Sequence, residues 1–173
     1  HYAELDNDKV VELNYASGTT GFSKGVMLTG NNLAGNVTYA RTLDLLFRGE
    51  RELCFLPLAH AYSCAFNLLV PMAFGVHVFL LGKIPSPKIL LKAFEEVKPN
   101  LILMVPLILE KIYKKMILPR LDKRMMRLAL NIPLLDSRIY AQIRKKLVDA
   151  LGGRFREVIV GGAAMNDEVT EFL

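Results

Sequence analysis

The sequence predicts an α/β fold, a mostly parallel sheet with helices on both faces. Short β-rich runs alternate with longer stretches of helical character along the whole chain. The later β-rich runs are almost continuously apolar, which is typical of parallel strands covered on both faces. Apolar side chains make up 52% of the 173 residues, enough to build the core of one domain or a large part of one.

The β-rich runs are short and bounded by turn residues; they are residues 10–15, 52–56, 76–81, 101–105 and 157–160. The predicted helices lie between them, at residues 31–46, 61–74, 87–97, 107–115, 118–130 and 137–151. Two helix boundaries carry clear signals. Ser86 can cap a helix that begins at Pro87, and Gly152 with Gly153 can end the last helix.

Composition limits the classes of function. The 22 basic and 17 acidic side chains give a net charge of +5, which favours an anionic partner. Cys54 and Cys64 are too few for a disulfide framework or a four-ligand zinc site, and we expect a cytoplasmic protein. The most membrane-like run, residues 65–81, is interrupted by Asn67, Pro71, Gly75 and His77. We therefore interpret it as a buried helix, a turn and a strand that places His77 in or near the core.

The segment from about residue 107 to 151 is rich in basic residues spaced among Ile, Leu and Met. One interpretation is a solvated helix face whose aliphatic stems cover apolar surface. Another is a patch that contacts a membrane surface or acyl-CoA. Binding of nucleic acid is disfavoured, since the segment lacks interleaved aromatic residues and a recognisable docking motif.

The most informative stretch follows the first predicted strand and combines glycines, hydroxyl side chains and one lysine. Gly18, Gly21 and Gly25 allow the backbone to approach a ligand closely. The hydroxyl donors are Ser17, Thr19, Thr20 and Ser23, and Lys24 adds a positive charge. This combination suits an oligophosphate, because charge-assisted hydrogen bonds contribute about 1.5 to 3 kcal/mol each.

The P-loop of nucleotide hydrolases, G-x-x-x-x-G-K-[ST], does not fit this stretch. Counted from Gly18, its second glycine would fall on Ser23, and Gly25 stands where a magnesium-binding hydroxyl is required. A ligand-free Gly/Ser/Thr hairpin is the other alternative to a phosphate site.

Residues 15–26, Tyr-Ala-Ser-Gly-Thr-Thr-Gly-Phe-Ser-Lys-Gly-Val, closely resemble the phosphate loop of the AMP-forming adenylating superfamily. This superfamily includes acyl-CoA synthetases, peptide-synthetase adenylation domains and firefly luciferase. Two positions depart from its pattern: Ala16 lacks a common hydroxyl, and Ser23 replaces the usual proline. Residues 57–62, 105–113 and 161–163 also resemble the family, and the segment at 107–151 resembles bacterial long-chain fatty-acid CoA ligases in particular.

The resemblance implies the activity of a long-chain fatty-acid CoA ligase. A fatty acid attacks the α-phosphate of ATP, giving an acyl-adenylate and pyrophosphate, and coenzyme A then displaces AMP. The implied phosphate-binding residues are Ser17, Gly18, Thr19, Thr20, Gly21, Ser23 and Lys24. Lys24 is also implied in catalysis, and Thr20 as a contact to Mg²⁺-ATP. Fatty acid, ATP and coenzyme A are the implied partners.

Two further sites follow from the same resemblance. His60 is expected near the reacting carboxylate, although a lone histidine at a helix start could equally be structural. Gly161, Gly162 and Ala163 are expected to contact the adenine or the acyl group, although glycines after a strand could simply form a turn.

The resemblance also implies domain limits. Residues 1–173 would form a central excerpt of the large AMP-binding N-terminal domain of an acyl-CoA synthetase-like fold, without the small C-terminal domain. The main magnesium ligand would lie beyond residue 173, so we expect the excerpt alone to be inactive. An aryl-acid CoA ligase, a peptide-synthetase adenylation domain and a non-enzymatic module that binds phosphate or a membrane surface are the alternatives.

Overall fold

The computed structural model describes residues 6–17, 23–121 and 135–172. The chain divides into two compact units, His1–Leu80 and Leu81–Leu173, and each is described separately. Both contain parallel strand pairs together with helices, so the predicted α/β class is confirmed.

Unit 1 begins with an antiparallel hairpin of β1 (Val10–Ser17) and β2 (Ser23–Thr29). Helix α1 (Gly30–Ala40) follows directly and is capped by Thr29, whose side chain accepts from the Asn32 amide while the Asn32 side chain accepts from the Thr29 amide. The predicted helix extended to residue 46, but the structure ends it at Ala40. The backbone turns there, and Asp44 adopts a positive φ of 49° that is incompatible with a continuing helix.

The second half of unit 1 is a strand–helix–strand arrangement. Strand β3 (Arg51–Cys54) pairs in parallel with β4 (His77–Leu80). Between them lie α2 (Ala61–Ser63), a π-helical segment (Cys64–Leu69, the π segment) and α3 (Val70–Phe74). The helix, turn and strand predicted for residues 65–81 are therefore present, and the described residues include no helix long and apolar enough to cross a membrane.

His77 is a strand residue, as predicted, but its predicted place in or near the core is wrong. It is the first residue of β4 and is exposed, whereas the preceding Val76 is buried. The side chains of successive strand residues point to opposite faces of the sheet, so a shift of one residue moves a side chain from the core to the solvent.

Unit 2 contains α4 (Pro87–Val97), β5 (Leu101–Met104), α5 (Pro106–Met116), α6 (Leu118–Leu121), α7 (Leu135–Ala150), β6 (Glu157–Val160) and α8 (Asp167–Phe172). Strands β5 and β6 are parallel, and every residue of β5 is buried. The C-terminus of α7 approaches α4 so closely that a Cβ at Gly152 would stand 2.7 Å from the Phe94 carbonyl oxygen. Only glycine fits this position, which also has a φ of +98°.

The described part of the basic segment is amphipathic. On α7, Ile143 and Leu147 are buried while Arg144, Lys145 and Lys146 are exposed. Lys145 forms a 3.3 Å ion pair with Asp149 one turn later. This arrangement agrees with a solvated basic face on a helix that packs through its apolar side. The predicted helix at 118–130 is described only as far as Leu121.

Candidate active site

The end of the β1–β2 hairpin positions the residues that flank the predicted phosphate loop. Ser17 is the Cα partner of Ser23, and Ala16 is the partner of Lys24. The segment between the two strands therefore begins and ends at residues that are paired in the ladder. Gly18, Thr19, Thr20 and Gly21 lie outside the described residues. Lys24 lies on β2 with an exposed side chain, one residue from the end of the ladder.

His60 lies at the start of the helix that follows β3. Its amide donates to the Pro57 carbonyl oxygen at 3.1 Å, and its own carbonyl accepts from the Cys64 amide at 2.9 Å. It occupies the N-cap position of α2 with an extended backbone, but its side chain makes no capping hydrogen bond. The two backbone hydrogen bonds fix the main chain at His60. The residue is exposed, so its imidazole is accessible.

A buried polar cluster lies behind this helix start. The Asn67 side-chain amide donates to Glu52 Oε1 at 2.6 Å. The Ser63 hydroxyl lies 3.1 Å from Asn67 Oδ1 and 3.2 Å from the Leu56 carbonyl oxygen. Glu52 and Asn67 are 0% exposed and Ser63 is 1% exposed. The cluster therefore joins β3, the segment after it and the π segment in the interior of unit 1.

Burial raises the pKa of Glu52 from 4.5 to about 8, opposed only in part by the hydrogen bond from Asn67. The carboxyl is therefore mainly uncharged at neutral pH. Its second oxygen, Oε2, and the Tyr62 hydroxyl are both buried and have no hydrogen-bond partner among the described residues. The pKa values of Cys54 and Tyr62 are also raised, mainly by burial and to a lesser extent by the charge of Glu52.

A second polar contact joins the π segment to β1. The Cys64 thiol donates to Glu12 Oε2 at 3.4 Å, and the Asn14 side chain donates to Glu12 Oε1 at 2.8 Å. Burial raises the pKa of the Cys64 thiol, and its hydrogen bond to Glu12 raises it further. The π segment is therefore attached to the strand that precedes the predicted phosphate loop and to the strand that precedes His60.

Unit 2 holds the Gly161–Gly162–Ala163 segment at the end of β6. The Gly161 amide donates to the Met104 carbonyl oxygen at 3.1 Å and so extends the pairing of β5 with β6. Gly162 has a φ of +92°, and both Gly162 and Ala163 are exposed. The carboxyl ends of parallel strands are the usual ligand-binding edge of α/β sheets, which agrees with a binding role here.

The chain after this segment is held against α5. The Asn166 amide donates to Glu110 Oε1 at 3.2 Å, and the Tyr113 hydroxyl donates to Glu168 Oε1 at 3.2 Å. Burial, followed by the charge of Glu168, raises the pKa of Tyr113. These contacts fix the position of the glycine turn relative to β5 and α5.

Unit 2 also contains an apolar cavity of about 380 Å³. Its wall is formed by α5, α7, β6 and the segment before α8, with Leu147, Phe155 and Val160 among the lining residues. The sequence did not predict it, because the lining residues come from elements far apart in the chain.

Glu52 and Asn67 were not predicted as a buried polar pair from the sequence. The available signal was an acid directly before the apolar residues 53–56, followed 15 residues later by one amide inside the apolar run Ala65–Val70. An isolated polar residue in a buried element usually requires a partner, so the two could have been paired.

No metal site can be assigned. Within residues 6–17, 23–121 and 135–172, no three His, Cys, Asp or Glu side chains are grouped as ligands. Thr20, the predicted contact to magnesium, lies outside these ranges.

Comparison with known proteins identifies relatives along the whole chain. The sequence model of the AMP-binding enzyme family matches residues 1–173. Long chain acyl-CoA synthetase 6, peroxisomal, from Arabidopsis thaliana is 34% identical over 96% of this chain and 25% of that protein. A 4-coumarate–CoA ligase from Pinus taeda is 33% identical over 91% of this chain and 29% of that protein.

Among solved structures, the A-PCP didomain of carboxylic acid reductase from Segniliparus rugosus in complex with AMP superposes with a TM-score of 0.71. It is 25% identical, and the match covers 99% of this chain and 23% of that structure. The chain thus spans about a quarter of the length of these relatives.

Proposed function

The chain belongs to the AMP-binding enzyme family, and from this we propose that the complete protein is a long-chain fatty acid–CoA ligase. In the first step a carboxylate oxygen of the fatty acid bonds to the α-phosphorus of ATP, and pyrophosphate leaves. In the second, the thiol of coenzyme A attacks the acyl carbonyl, and AMP leaves. The proposed enzyme acts in the cytoplasm, and the basic face of α7 would allow peripheral contact with a membrane.

The observation that carries this proposal is the similarity to the Arabidopsis long-chain acyl-CoA synthetase over 96% of the chain. The hairpin geometry supports it, because β1 and β2 bring Ser17 and Ser23 to adjacent positions on either side of the phosphate loop. A loop closed in this way can direct several donors at one triphosphate.

We propose the following roles for the residues of this chain. Ser17 to Gly21, Ser23 and Lys24 hold the β- and γ-phosphates, and Lys24 stabilises the departing pyrophosphate. His60, with its accessible imidazole, lies near the reacting carboxylate. Gly161, Gly162 and Ala163 contact the adenine or the acyl group. Magnesium would bind with ATP and neutralise phosphate charge; no described residue is assigned as its ligand.

The second candidate is an aryl-acid CoA ligase. It is favoured by the 4-coumarate–CoA ligase from Pinus taeda, which is nearly as similar to this chain as the long-chain enzyme. Both candidates use the same adenylation step and differ in the acid that they activate.

The test is acid-dependent exchange of pyrophosphate into ATP by the complete protein, with fatty acids of increasing length and with 4-coumarate. The proposal expects exchange that is greatest with long-chain fatty acids. Exchange with 4-coumarate and none with fatty acids would overturn the long-chain assignment in favour of the second candidate. Absence of exchange with every acid would overturn both.

A further inference from the structure

The helix that begins after His60 contains an unusual element. Only Ala61–Ser63 are α-helical before the backbone widens into the six-residue π segment Cys64–Leu69. π-helical turns are rare and are found frequently at functional sites. The contacts that hold this one should therefore matter for the position of the helix start.

The strongest such contact is the hydrogen bond between Asn67 and Glu52. Its length of 2.6 Å is short for an amide donor, and both side chains are 0% exposed. Asn67 lies in the middle of the π segment, and Glu52 lies on a strand paired with β4. The Ser63 hydroxyl is within hydrogen-bond distance of Asn67 Oδ1 and of the Leu56 carbonyl oxygen. The cluster therefore includes residues that precede His60 in the sequence and residues that follow it.

The surroundings of Glu52 favour an uncharged acid. The titratable or polar side chains that interact with Glu52 include Asn67 and Tyr62 from the helix and Cys54 from its own strand. On β4 its register partner is Val78. None of these four is positively charged, and burying an unpaired carboxylate costs several kcal/mol. Oε2, which lacks a partner among the described residues, is the atom that would carry the proton.

We propose that Glu52, as an uncharged acid hydrogen-bonded to Asn67, is a positioning residue that fixes the π segment and thereby the location of His60. This inference rests on the proposed function, because it assigns His60 to the active site. Ionisation of Glu52 would require water to enter the closed cluster, and the π segment would then separate from β3. His60 would move with the helix start, because it occupies the N-cap position of α2.

The test uses the complete protein and three variants. Glu52→Gln keeps a neutral side chain of the same shape that can accept from Asn67, and Glu52→Leu keeps the volume without the hydrogen bond. Glu157→Gln is the matched control, since Glu157 is an acid on a strand but is exposed. We measure kcat and KM for pyrophosphate exchange from about pH 6.5 to about pH 9.

A misplaced catalytic group can cost about 100-fold in rate, so we expect Glu52→Leu to lower kcat by about 10- to 100-fold while KM for ATP changes little. Glu52→Gln should keep the neutral-pH kcat. Wild type and Glu157→Gln should lose kcat as the pH rises through about 8, the pKa of Glu52, and Glu52→Gln should not. A wild-type kcat in Glu52→Leu, or an unchanged alkaline loss in Glu52→Gln, would overturn the proposal.

Amide hydrogen exchange in residues 61–69 tests the positioning without any enzyme assay. At each pH, wild type is compared with Glu52→Gln, so the intrinsic pH dependence of exchange cancels. We expect wild type to exchange faster than Glu52→Gln above about pH 8 and equally below it. Equal exchange at every pH would overturn the positioning role. If the amide hydrogen exchange followed this pattern but the protein activated no acid, the role of Glu52 in fixing the π segment would be supported. Only the proposed function would then be refuted.

Discussion

At the scale of the residue, Lys24 provides the direct test of the phosphate loop. We predict that Lys24→Ala lowers kcat/KM for pyrophosphate exchange by roughly 10- to 150-fold, the equivalent of a charge-assisted hydrogen bond of about 1.5 to 3 kcal/mol. Binding of the fatty acid should change little, because the lysine is assigned to the phosphates. Kinetics with varied ATP and varied fatty acid separate the two effects.

Lys92→Ala is the matched control. Lys92 is also an exposed lysine, but it lies on α4 and pairs with Glu96 at 3.7 Å. Exposed ion pairs of this kind contribute little to stability, so the loss of Lys92 should leave the rate of pyrophosphate exchange unchanged. If Lys24→Ala impaired the kinetics with varied fatty acid as much as the kinetics with varied ATP, the assignment of Lys24 to the phosphates would be contradicted.

Gly162 provides a second prediction at this scale. Its φ of +92° is strained for any other residue, whereas a Cβ there would meet Val105 only at 3.8 Å. We therefore expect Gly162→Ala to lower the free energy of unfolding by about 1 to 3 kcal/mol through backbone strain alone. Urea unfolding of the complete protein measures the change.

The comparison variant is Gly35→Ala, on the exposed side of α1. A Cβ there would meet nothing within 4 Å, and Gly35 is not among the glycines of positive φ. Alanine should stabilise the helix by about 0.5 to 1 kcal/mol. A destabilised Gly35→Ala together with an unaffected Gly162→Ala would show that the two backbone conformations have been assigned wrongly.

At the scale of the element, the π segment is attached to β1 through Cys64 and Glu12. We predict that Glu12→Gln accelerates alkylation of Cys64. Burial is the largest cause of the raised pKa of the Cys64 thiol, and the hydrogen bond and charge of Glu12 raise that pKa further. Only the thiolate is nucleophilic. Removing the negative charge lowers the pKa, so more thiolate is present at a given pH. Mass spectrometry after a timed exposure to iodoacetamide near neutral pH gives the rate.

Cys54 is the internal control for this measurement, since it is 4% exposed and should be alkylated slowly in both proteins. Burial, and to a lesser extent the charge of Glu52, raises the pKa of the Cys54 thiol, so Glu12→Gln should leave that pKa unchanged. Unchanged alkylation of Cys64 in Glu12→Gln would indicate that β1 and the π segment are not in contact in solution.

The elements also show what the sequence could predict. Helix Pro87–Val97 and strand Glu157–Val160 match the predicted ranges at both ends. Ser86 accepts a hydrogen bond from the Ile89 amide, so the cap signal at the start of α4 was physically correct. Strand β2 (Ser23–Thr29) was missed because its first residues, 23–26, were interpreted as part of the glycine-rich loop; their strand character comes from pairing with β1.

The π segment could not be predicted, since its local sequence is compatible with an ordinary α-helix. It depends on partners that are distant in sequence, Glu12 and Glu52, which contact it only after the strands have been placed. The same reason explains the candidate site. Short motifs predicted site residues such as His60 and Lys24, whereas Glu52 belongs to no motif, and its burial against Asn67 became evident in the structure.

At the scale of the whole molecule, the sequence predicted the α/β class and the adenylating superfamily correctly, and the family match covers the entire chain. Motif resemblance succeeded here because residues 15–26 follow the superfamily pattern over consecutive positions and depart from it only at Ala16 and Ser23. Net charge was less informative. It predicts an anionic partner without distinguishing a nucleotide from a membrane.

Stability as a function of pH gives the last prediction, because Glu52 binds its proton more tightly in the folded protein. Its folded-state pKa is about 8, whereas the ordinary pKa of a glutamate side chain is 4.5, so between these values the folded state binds more protons than the unfolded state. The free energy of unfolding should therefore fall as the pH rises through this range and level off above it. Each pKa unit corresponds to about 1.4 kcal/mol, so the total is a few kcal/mol.

Urea unfolding of the complete protein at about pH 5.5 and about pH 8 measures this difference. Glu52→Gln cannot titrate, so it should lose less stability over this interval than wild type. Glu157→Gln removes an exposed acid and should retain the wild-type dependence. If wild type and Glu52→Gln lost stability equally, Glu52 would have to be ionised in the folded protein. The buried cluster would then need a positive charge or water beside Oε2, and the argument that an uncharged acid fixes the π segment would fail.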